Sequence, residues 1–265
     1  MKSQEIQEAA DALFEAETKG HQIGLLSLQY SRLDLEGAYA VQAALIDRKL
    51  STGRKVIGWK IGLTSRAMQQ ALNISTPDSG VLLDDMLFDD GAQIPDGRFI
   101  QPRVEAEIAF IMNAPLKGPH VTREDVLAAT ESVAPSLEIL DTRILRTDPA
   151  SGKSRMITDT ISDNAANAGF VLGKERHAID AFDLRWIGAI VKRNDIVEET
   201  GLGAGVLDDP VTGILWLVHR LAQYDQGIEA GQVLLSGSFI RPIEAPASSV
   251  FEADFGSFGS VSLQF

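Results

Sequence analysis

The 265-residue chain contains 45% hydrophobic residues, enough for one sizeable core or two small ones. Its 37 acidic and 24 basic residues give a formal charge of -13, which opposes binding to the phosphate backbone of nucleic acids. Cysteine is absent, which excludes disulfides, a thiolate nucleophile and metal sites built on sulfur. We therefore predict an ordinary globular protein with no nucleic-acid partner.

The N-terminal region shows the periodicity of helices. Apolar residues such as Ala9 and Leu13 recur at helical spacing up to Gly20. A second run begins after Asp34 and stops at Gly53. The pattern predicts a helical layer at the start of the fold.

The first residues, "MKSQEIQEAADALFEAE", are acidic and amphipathic and lack the apolar segment of a secretory signal. No run of 18 consecutive apolar residues occurs in the sequence. We therefore predict a cytoplasmic protein with no membrane partner.

From residue 55 onward, short apolar segments alternate with Gly, Pro, Asp and Asn, as is typical of strands. The predicted strands are "KVIGWKIGL", "RVEAEIAFIM", "SLEIL", "VLLSGSF" and "VSLQF". Three helices should interrupt them: one after Thr64 or Ser65, one after Thr122, and one from Asp209-Pro210. The C-terminal "VFEADFGSFGSVSLQF" predicts a hairpin.

No repeat or linker divides the sequence, so we predict one unit over residues 1–265. It comprises a helical cap at 1–53 and a β-rich body at 54–265, and a boundary near Gly53 is the alternative. The polar segment "TRILRTDPASGKSRMITDTISDNAANAG" is long for a mere connection, and such loops are usually functional or mobile.

The segment "RVEAEIAFIM" carries two glutamates within an apparently buried strand. Glu105 and Glu107 are two residues apart, so their side chains share one face with Cα atoms roughly 7 Å apart. The residues that follow are apolar on both faces, as in a strand covered on both sides. Buried carboxylates need a partner, either a divalent cation or an arginine such as Arg103.

A third carboxylate, Glu138, lies in the apolar segment "SLEIL", where the same argument applies. With no cysteine and no histidine nearby, three carboxylates favour Mg²⁺ or Mn²⁺ over zinc. The alternative is that Glu138 forms an ion pair with Arg143 or Arg103.

Lys60 lies in the middle of the strand "GWKIGL", with Gly58 and Gly62 on its own face. A lysine held in an apolar pocket loses proton affinity, so its pKa falls and it can move protons near neutral pH. The alternative is a lysine whose amine reaches solvent from a strand end.

Two further segments carry short polar side chains. "SDNAANAG" places Ser162, Asp163, Asn164 and Asn167 where they can contact a small polar ligand or build an Asx turn. "LLSGSF" places Ser238 at a strand end, where backbone N–H groups can bind a carboxylate or simply form a tight turn.

In this order, "GWKIGLTS", "RVEAEIAF", "PSLEILDTR", "DTISDNAANAG", "GAGVLDDP" and "GSVSLQF" resemble the hydratase/decarboxylase family of bacterial aromatic meta-cleavage pathways. That family has the wider fumarylacetoacetate hydrolase-like fold. The resemblance implies an α+β fold, a mixed β roll with an N-terminal helical layer. It also implies a Mg²⁺ (or Mn²⁺) site, a small-molecule 2-oxo acid substrate and a homo-oligomer.

Residue by residue, the resemblance implies that Glu105, Glu107 and Glu138 bind the metal. Lys60 and Asp78 match the pocket lysine and aspartate of the family and are the predicted catalytic residues. Ser79 departs from the family pattern, in which an aromatic residue commonly follows the aspartate.

The predicted substrate-binding residues are Ser162, Asn164, Ser238 and Arg155. Arg155 comes from the long polar loop, which can place either Lys153 or Arg155 over a distal carboxylate. We predict Arg155, because a planar guanidinium can bind both oxygens of a carboxylate.

The implied reaction is the metal-dependent hydration of a 2-oxo or 2-hydroxydienoic diacid, in which Lys60 or Asp78 moves a proton. Decarboxylation of an oxalocrotonate-type diacid and hydration of a five-carbon dienoate are the alternatives within the family. Hydrolases of the wider fold use a histidine to activate water, and no histidine here lies beside a motif. A non-catalytic module that binds Ca²⁺ is the alternative from another class.

Overall fold

The computed structural model describes residues 1–71, 74 and 76–265. The helices in this part of the chain are α1 (Ser3–Lys19), α2 (Leu26–Gln29), α3 (Leu35–Leu50), α4 (Arg66–Ala71), α5 (Arg123–Ala129), α6 (Ile157–Ser162) and α7 (Pro210–Ala222). The side chains of Asp34, Thr122 and Asp209 each accept a hydrogen bond from a backbone N–H of the first turn. The predicted starts of α3, α5 and α7 are therefore confirmed. Among the described residues, every helix is too short or too polar to cross a bilayer.

Two larger sheets and a two-stranded ribbon form the body. The strands are β1 (Val56–Gly62), β2 (Asp78–Leu83), β3 (Leu87–Phe88), β4 (Ala92–Gln93), β5 (Arg103–Met112), β6 (Leu116–Lys117), β7 (Thr130–Leu140), β8 (Asn167–Leu172), β9 (Gly188–Arg193), β10 (Ile196–Leu202), β11 (Gly227–Ile228), β12 (Val233–Leu235), β13 (Ile243–Glu244), β14 (Val250–Asp254) and β15 (Ser260–Gln264). The main sheet has the order β2-β1-β12-β5-β7-β8-β3, with β13 also paired to β5, and the smaller sheet has the order β10-β9-β14-β15-β4. The ribbon pairs β11 with β6.

Strand β5 lies inside the main sheet and is covered on both faces, as its sequence predicts. One face, which includes Phe110, packs in a core shared with α7 and the smaller sheet. The opposite face carries Glu105, Glu107 and Ala109, and Ala109 belongs to a cluster with Ile46 of α3. The two glutamates therefore lie on the face that is turned toward the helical layer.

The helical layer has a small core of its own and contacts the body through both apolar and polar side chains. Leu13 of α1 and Leu45 of α3 belong to that core. The side-chain amide of Gln42 donates to the carbonyl oxygens of Ser79 (2.9 Å) and Ile161 (3.0 Å). The α+β class with an N-terminal helical layer is confirmed, whereas the treatment of residues 1–265 as a single unit stays a prediction.

The predicted polar loop contains a helix, α6, that the sequence pattern does not indicate. Four of its six residues are β-branched, which lowers helix propensity. The carboxylate of Asp159 accepts hydrogen bonds from Ser27 N (2.8 Å), Ser27 Oγ (2.6 Å) and Met156 N (2.8 Å). These contacts with α2 and the helix start stabilise α6 where local propensity does not. The hairpin of β9 and β10 is likewise absent from the predicted strands.

Candidate metal and substrate site

The pairing of β5 with β7 brings the three predicted glutamates together. Glu105 lies directly opposite Glu138, and Glu107 lies opposite Ser136. Glu107 and Glu138 are fully buried, and Glu105 is half-buried. One carboxylate oxygen from each lies within 4.8 Å of the others. Mg²⁺ binds oxygens at about 2.1 Å, so oxygens on opposite sides of the ion are about 4.2 Å apart, and the cluster is close to that size.

Each buried glutamate has one oxygen with a donor and one without. Glu107 Oε2 accepts a hydrogen bond from the backbone N–H of Gly237 (2.8 Å), and Glu138 Oε1 accepts one from Asn167 Nδ2 (2.7 Å). Glu107 Oε1 and Glu138 Oε2 have no hydrogen-bond partner among the described residues. Buried carboxylate oxygens without donors are costly unless a cation binds them, so this hard-oxygen set fits Mg²⁺ or Mn²⁺.

The electrostatics of the cluster support the same interpretation. Burial, and next the charge of Glu138, raises the pKa of Glu105 to about 8. Burial, Glu138 and Glu105 together raise the pKa of Glu107 well above that of an ordinary glutamate. The protein alone therefore does not compensate three negative charges here, whereas a divalent cation would.

The arginine alternative is wrong, because both arginines have other partners. Arg103 Nε donates to Glu244 Oε1 (2.7 Å), and Arg143 Nε donates to Asp163 Oδ1 (2.6 Å). The cation next to Glu138 is instead Lys60, whose Nζ lies 3.2 Å from Glu138 Oε1.

Lys60 reaches the glutamates through strand register. It lies opposite Leu235 of β12, which lies opposite Ala109, two residues from Glu107 on the same face. Lys60 is only 3% exposed, so the solvent-reaching alternative is wrong. Burial lowers the pKa of Lys60, but the surrounding carboxylates, led by Glu138, outweigh burial and raise it. The prediction of a lowered pKa is therefore wrong.

Asp78, at the start of β2, lies beside Lys60. Asp78 lies opposite Gly62 in the pairing of β2 with β1. A Cβ atom at position 62 would lie 2.2 Å from Asp78 Oδ1 and 3.1 Å from Lys60 Nζ. Glycine is therefore required at position 62. Burial raises the pKa of Asp78, and Lys60 opposes that shift only in part. Asp78 Oδ1 has no hydrogen-bond partner in the described part of the chain.

A cavity of about 630 Å³ opens beside these groups, and side chains of both charges line it. Lys60, Asp78 and Glu105 are part of the lining. The remaining lining includes three arginines and a hydroxyl, namely Arg103, Arg146, Arg155 and Thr142. Arg155 Nη1 donates to Thr142 Oγ1 (2.7 Å), whereas Lys153 is exposed and is not part of the lining.

The predicted substrate-binding serines and asparagine differ in position. Ser238 lines the cavity, and its Oγ donates to Ile240 O (2.9 Å). Ser162 Oγ donates to Thr158 O (2.8 Å), and the Asn164 amide exchanges two hydrogen bonds with the Val81 backbone (2.8 and 2.9 Å). Ser162 and Asn164 are not part of the cavity lining, and a role of any of these residues in substrate binding stays a prediction.

Sequence reasoning did not select Thr142 or Arg146, and it named Asn167 only as one of the short polar side chains of its motif. Asn167 is in the motif that contains Ser162 and Asn164, but only the fold shows that its side chain contacts Glu138. Thr142 and Arg146 lie in the long polar segment, where length alone predicts a functional role without choosing residues.

Structural comparisons define the class of fold. The chain is similar over 78% of its length to a putative fumarylacetoacetate hydrolase family protein from Yersinia pestis, covering 91% of that chain, with a TM-score of 0.56 and 13% identity. It is similar over 100% of its length to the 4-oxalocrotonate decarboxylase from Pseudomonas putida G7 complexed with magnesium and adipate, covering 98% of that chain, with a TM-score of 0.93 and 29% identity. The fold is the fumarylacetoacetate hydrolase-like fold.

Sequence comparisons identify the family of proteins within this fold. No family model matches the chain. It is 49% identical over 256 residues to 2-oxo-hept-4-ene-1,7-dioate hydratase from Escherichia coli, covering 97% of this chain and 96% of the relative. It is 35% identical over 265 residues to 2-keto-4-pentenoate hydratase from Paraburkholderia xenovorans, covering 100% of this chain and 96% of the relative. The chain belongs to the hydratase/decarboxylase family of aromatic meta-cleavage pathways, and the resemblance inferred from its motifs is confirmed.

Proposed function

We propose that the protein is a Mg²⁺- or Mn²⁺-dependent hydratase of aromatic catabolism. Its substrate is 2-oxohept-4-ene-1,7-dioate and its product 4-hydroxy-2-oxoheptane-1,7-dioate. The observation that carries the proposal is a cavity lined both by Glu105 of the glutamate cluster and by three arginines. A molecule with a 2-oxo acid group at one end and a second carboxylate at the other is complementary to both. The 49% identity to the hydratase from Escherichia coli supports this substrate.

Glu105, Glu107 and Glu138 would hold the metal, because their oxygens converge and two of those oxygens have no donor among the described residues. When bound there, the ion supplies positive charge that stabilises negative charge developing on the 2-oxo group. Gly237 N–H and Asn167 Nδ2 fix the other oxygens of Glu107 and Glu138.

Proton movement falls to Lys60 and Asp78, which lie side by side in the lining. One proton leaves C3 and one is placed on C5, so that the double bond moves from C4–C5 to C3–C4. Water then adds its hydroxyl at C4 and its proton at C3, which balances the reaction. The ammonium of Lys60 is the proposed proton donor, and the carboxylate of Asp78 is the group beside it that can accept a proton.

Arg155 is the proposed partner of the distal carboxylate. It lines the cavity, and its hydrogen bond to Thr142 holds the guanidinium in place. Arg155 is half-buried and, in the described ranges, forms no ion pair with a carboxylate of the protein. A diacid substrate would supply that carboxylate.

The same resemblance supports a homo-oligomer that acts in the cytoplasm. Trp186 is 71% exposed, and Ile190 and Leu202 of the neighbouring strands are each 44% exposed, which is an apolar surface of the kind that subunits cover. Sedimentation of the purified protein measures the oligomeric state, and a monomer at micromolar concentration contradicts this part of the proposal.

To test the reaction, the protein is incubated with Mg²⁺ and 2-oxohept-4-ene-1,7-dioate, and the mass of the product is measured by mass spectrometry. A gain of water is expected. Loss of CO₂ would instead indicate a decarboxylase, the alternative favoured by the TM-score of 0.93 to 4-oxalocrotonate decarboxylase. If the protein converts this substrate neither to the hydrated nor to the decarboxylated product when Mg²⁺ is present, the result favours the non-catalytic cation-binding alternative.

A further inference from the structure

Asn167 is fully buried and contacts the glutamate cluster directly. Its Nδ2 donates to Glu138 Oε1 at 2.7 Å. A carboxylate oxygen only accepts hydrogen bonds, so the contact fixes the orientation of the amide, with nitrogen toward Glu138. Lys60 Nζ lies near the same oxygen, at 3.2 Å, and Glu138 Oε2 has no donor among the described residues.

An irregularity in β8 places Asn167 on this face of the sheet. In the regular part of the pair, Glu138 lies opposite Phe170 and Ile139 opposite Gly169. The register then shifts, so that Leu140 lies opposite Asn167 rather than Ala168. Leu140 and Glu138 share a face because they are two residues apart, and the extra residue turns Asn167 to that same face.

The turn that precedes Asn167 is strained. Asn164, Ala165 and Ala166 have φ angles of 51°, 52° and 58°, which are left-handed values that non-glycine residues rarely adopt in succession. Hydrogen bonds stabilise this turn. Asn164 Oδ1 accepts from Val81 N, and Asn164 Nδ2 donates to Val81 O. Asp141 N donates to Ala166 O (2.9 Å). Strain of this kind persists where the surrounding structure enforces it, commonly at functional sites.

We propose that Asn167 is a positioning residue of the metal site, held in place by the left-handed turn and the register shift. By donating to Oε1, its amide leaves Oε2 of Glu138 free to bind a divalent cation. The inference rests on the proposed metal site.

The test measures the binding of Mn²⁺ and Mg²⁺ by calorimetry in Asn167→Leu, which has a similar size but no donor, and in Asn167→Ala. We expect the metal dissociation constant to rise by about 10- to 100-fold in both variants. At saturating Mg²⁺, kcat should return to within a few-fold of the unmodified enzyme, because the residue acts through the metal. Asn194→Ala is the control: it removes an exposed asparagine whose Oδ1 accepts from Val250 N (2.9 Å) in a surface turn.

The control variant should lower stability slightly and leave metal affinity unchanged. An unchanged metal dissociation constant in folded Asn167→Leu or Asn167→Ala overturns the inference. Failure of both variants to fold at saturating Mg²⁺ also overturns it, because the fold rather than the metal would then require the amide. Absence of metal binding in the unmodified protein is a different outcome, which refutes the proposed metal site itself.

Discussion

Two buried charged clusters lie close together in this protein, and they differ in how well their atoms are satisfied. Arg143 and Asp163 form a complete set: Arg143 Nε and N donate to the two carboxylate oxygens of Asp163, and Arg143 Nη2 donates to the carbonyl oxygens of Asp163 and Asn167. The glutamate cluster around Lys60, by contrast, leaves carboxylate oxygens without donors in the described part of the chain. A buried ion pair with all its hydrogen bonds made belongs to the architecture, whereas buried oxygens without donors indicate a ligand.

The largest effect is expected for a variant of the glutamate cluster, because only this cluster is proposed to bind a metal ion. Glu107→Gln keeps the shape of the side chain but removes one ligand charge, so we expect the affinity for Mg²⁺ to fall by about 100-fold or more and hydratase activity to be lost with it. The protein should remain folded, because the change also removes one of three adjacent negative charges. Calorimetric titration with Mg²⁺ and circular dichroism measure both quantities. Retention of the original metal affinity contradicts the role of Glu107 as a ligand.

The converse experiment targets the satisfied cluster. Arg143→Met leaves Asp163 buried without its cation, and we expect the free energy of unfolding to fall by about 3–5 kcal/mol. Urea unfolding measures the change. Arg66→Met is the matched control, because Arg66 pairs with Asp208 on the surface, where such pairs contribute about 1 kcal/mol or less.

Adding Asp163→Asn to Arg143→Met should restore part of the lost stability, since an amide carries no charge that requires a partner. Equal losses from Arg143→Met and Arg66→Met would show that the buried pair has no structural role beyond that of a surface pair.

A smaller effect is expected at Lys60, which belongs to the unsatisfied cluster. Lys60→Met keeps the apolar stem and removes the proton donor, so we expect kcat to fall by about 100-fold at saturating Mg²⁺, the usual size of one acid–base contribution. Substrate affinity should change only a few-fold. Stopped-flow measurement of dienoate absorbance provides kcat. A kcat close to that of the unmodified enzyme removes Lys60 from the mechanism, and loss of metal affinity as the first effect would show that Lys60 instead neutralises the glutamates.

The same contrast explains how much the sequence could predict. Glu105, Glu107 and Glu138 were predictable because each interrupts an apolar strand, and strand geometry alone decides that Glu105 and Glu107 share a face. The partners of Arg103 and Arg143 could not be predicted, because a partner can be distant in the chain: Glu244 is 141 residues from Arg103.

The pKa of Lys60 depends on how many carboxylates the fold brings near it, and this number is not a local property. The position of Asn167 depends on a register shift and a left-handed turn that tertiary contacts hold against local preference. The sequence therefore identifies charged residues that interrupt apolar strands, but it does not identify the residues that orient their side chains.

The smallest expected effect concerns Arg155, which lines the cavity and is the proposed partner of the distal carboxylate. We expect Arg155→Ala to lower kcat/KM for the seven-carbon diacid by about 10- to 100-fold, as is typical when one charge-assisted hydrogen-bonding partner is removed. A five-carbon substrate without the second carboxylate should be turned over nearly as well as by the unmodified enzyme. Steady-state kinetics with both substrates measure the difference.

Lys153→Ala provides the matched control, because this neighbouring cation is exposed and lies outside the cavity lining. Its kinetics should not change for either substrate. Arg155→Lys should recover only part of the lost activity, since an ammonium cannot bind both carboxylate oxygens in the planar manner of a guanidinium. If Arg155→Ala slows both substrates equally, the residue instead supports the cavity wall through Thr142, and the discrimination between diacid and monoacid must come from the other arginines of the lining, Arg103 and Arg146.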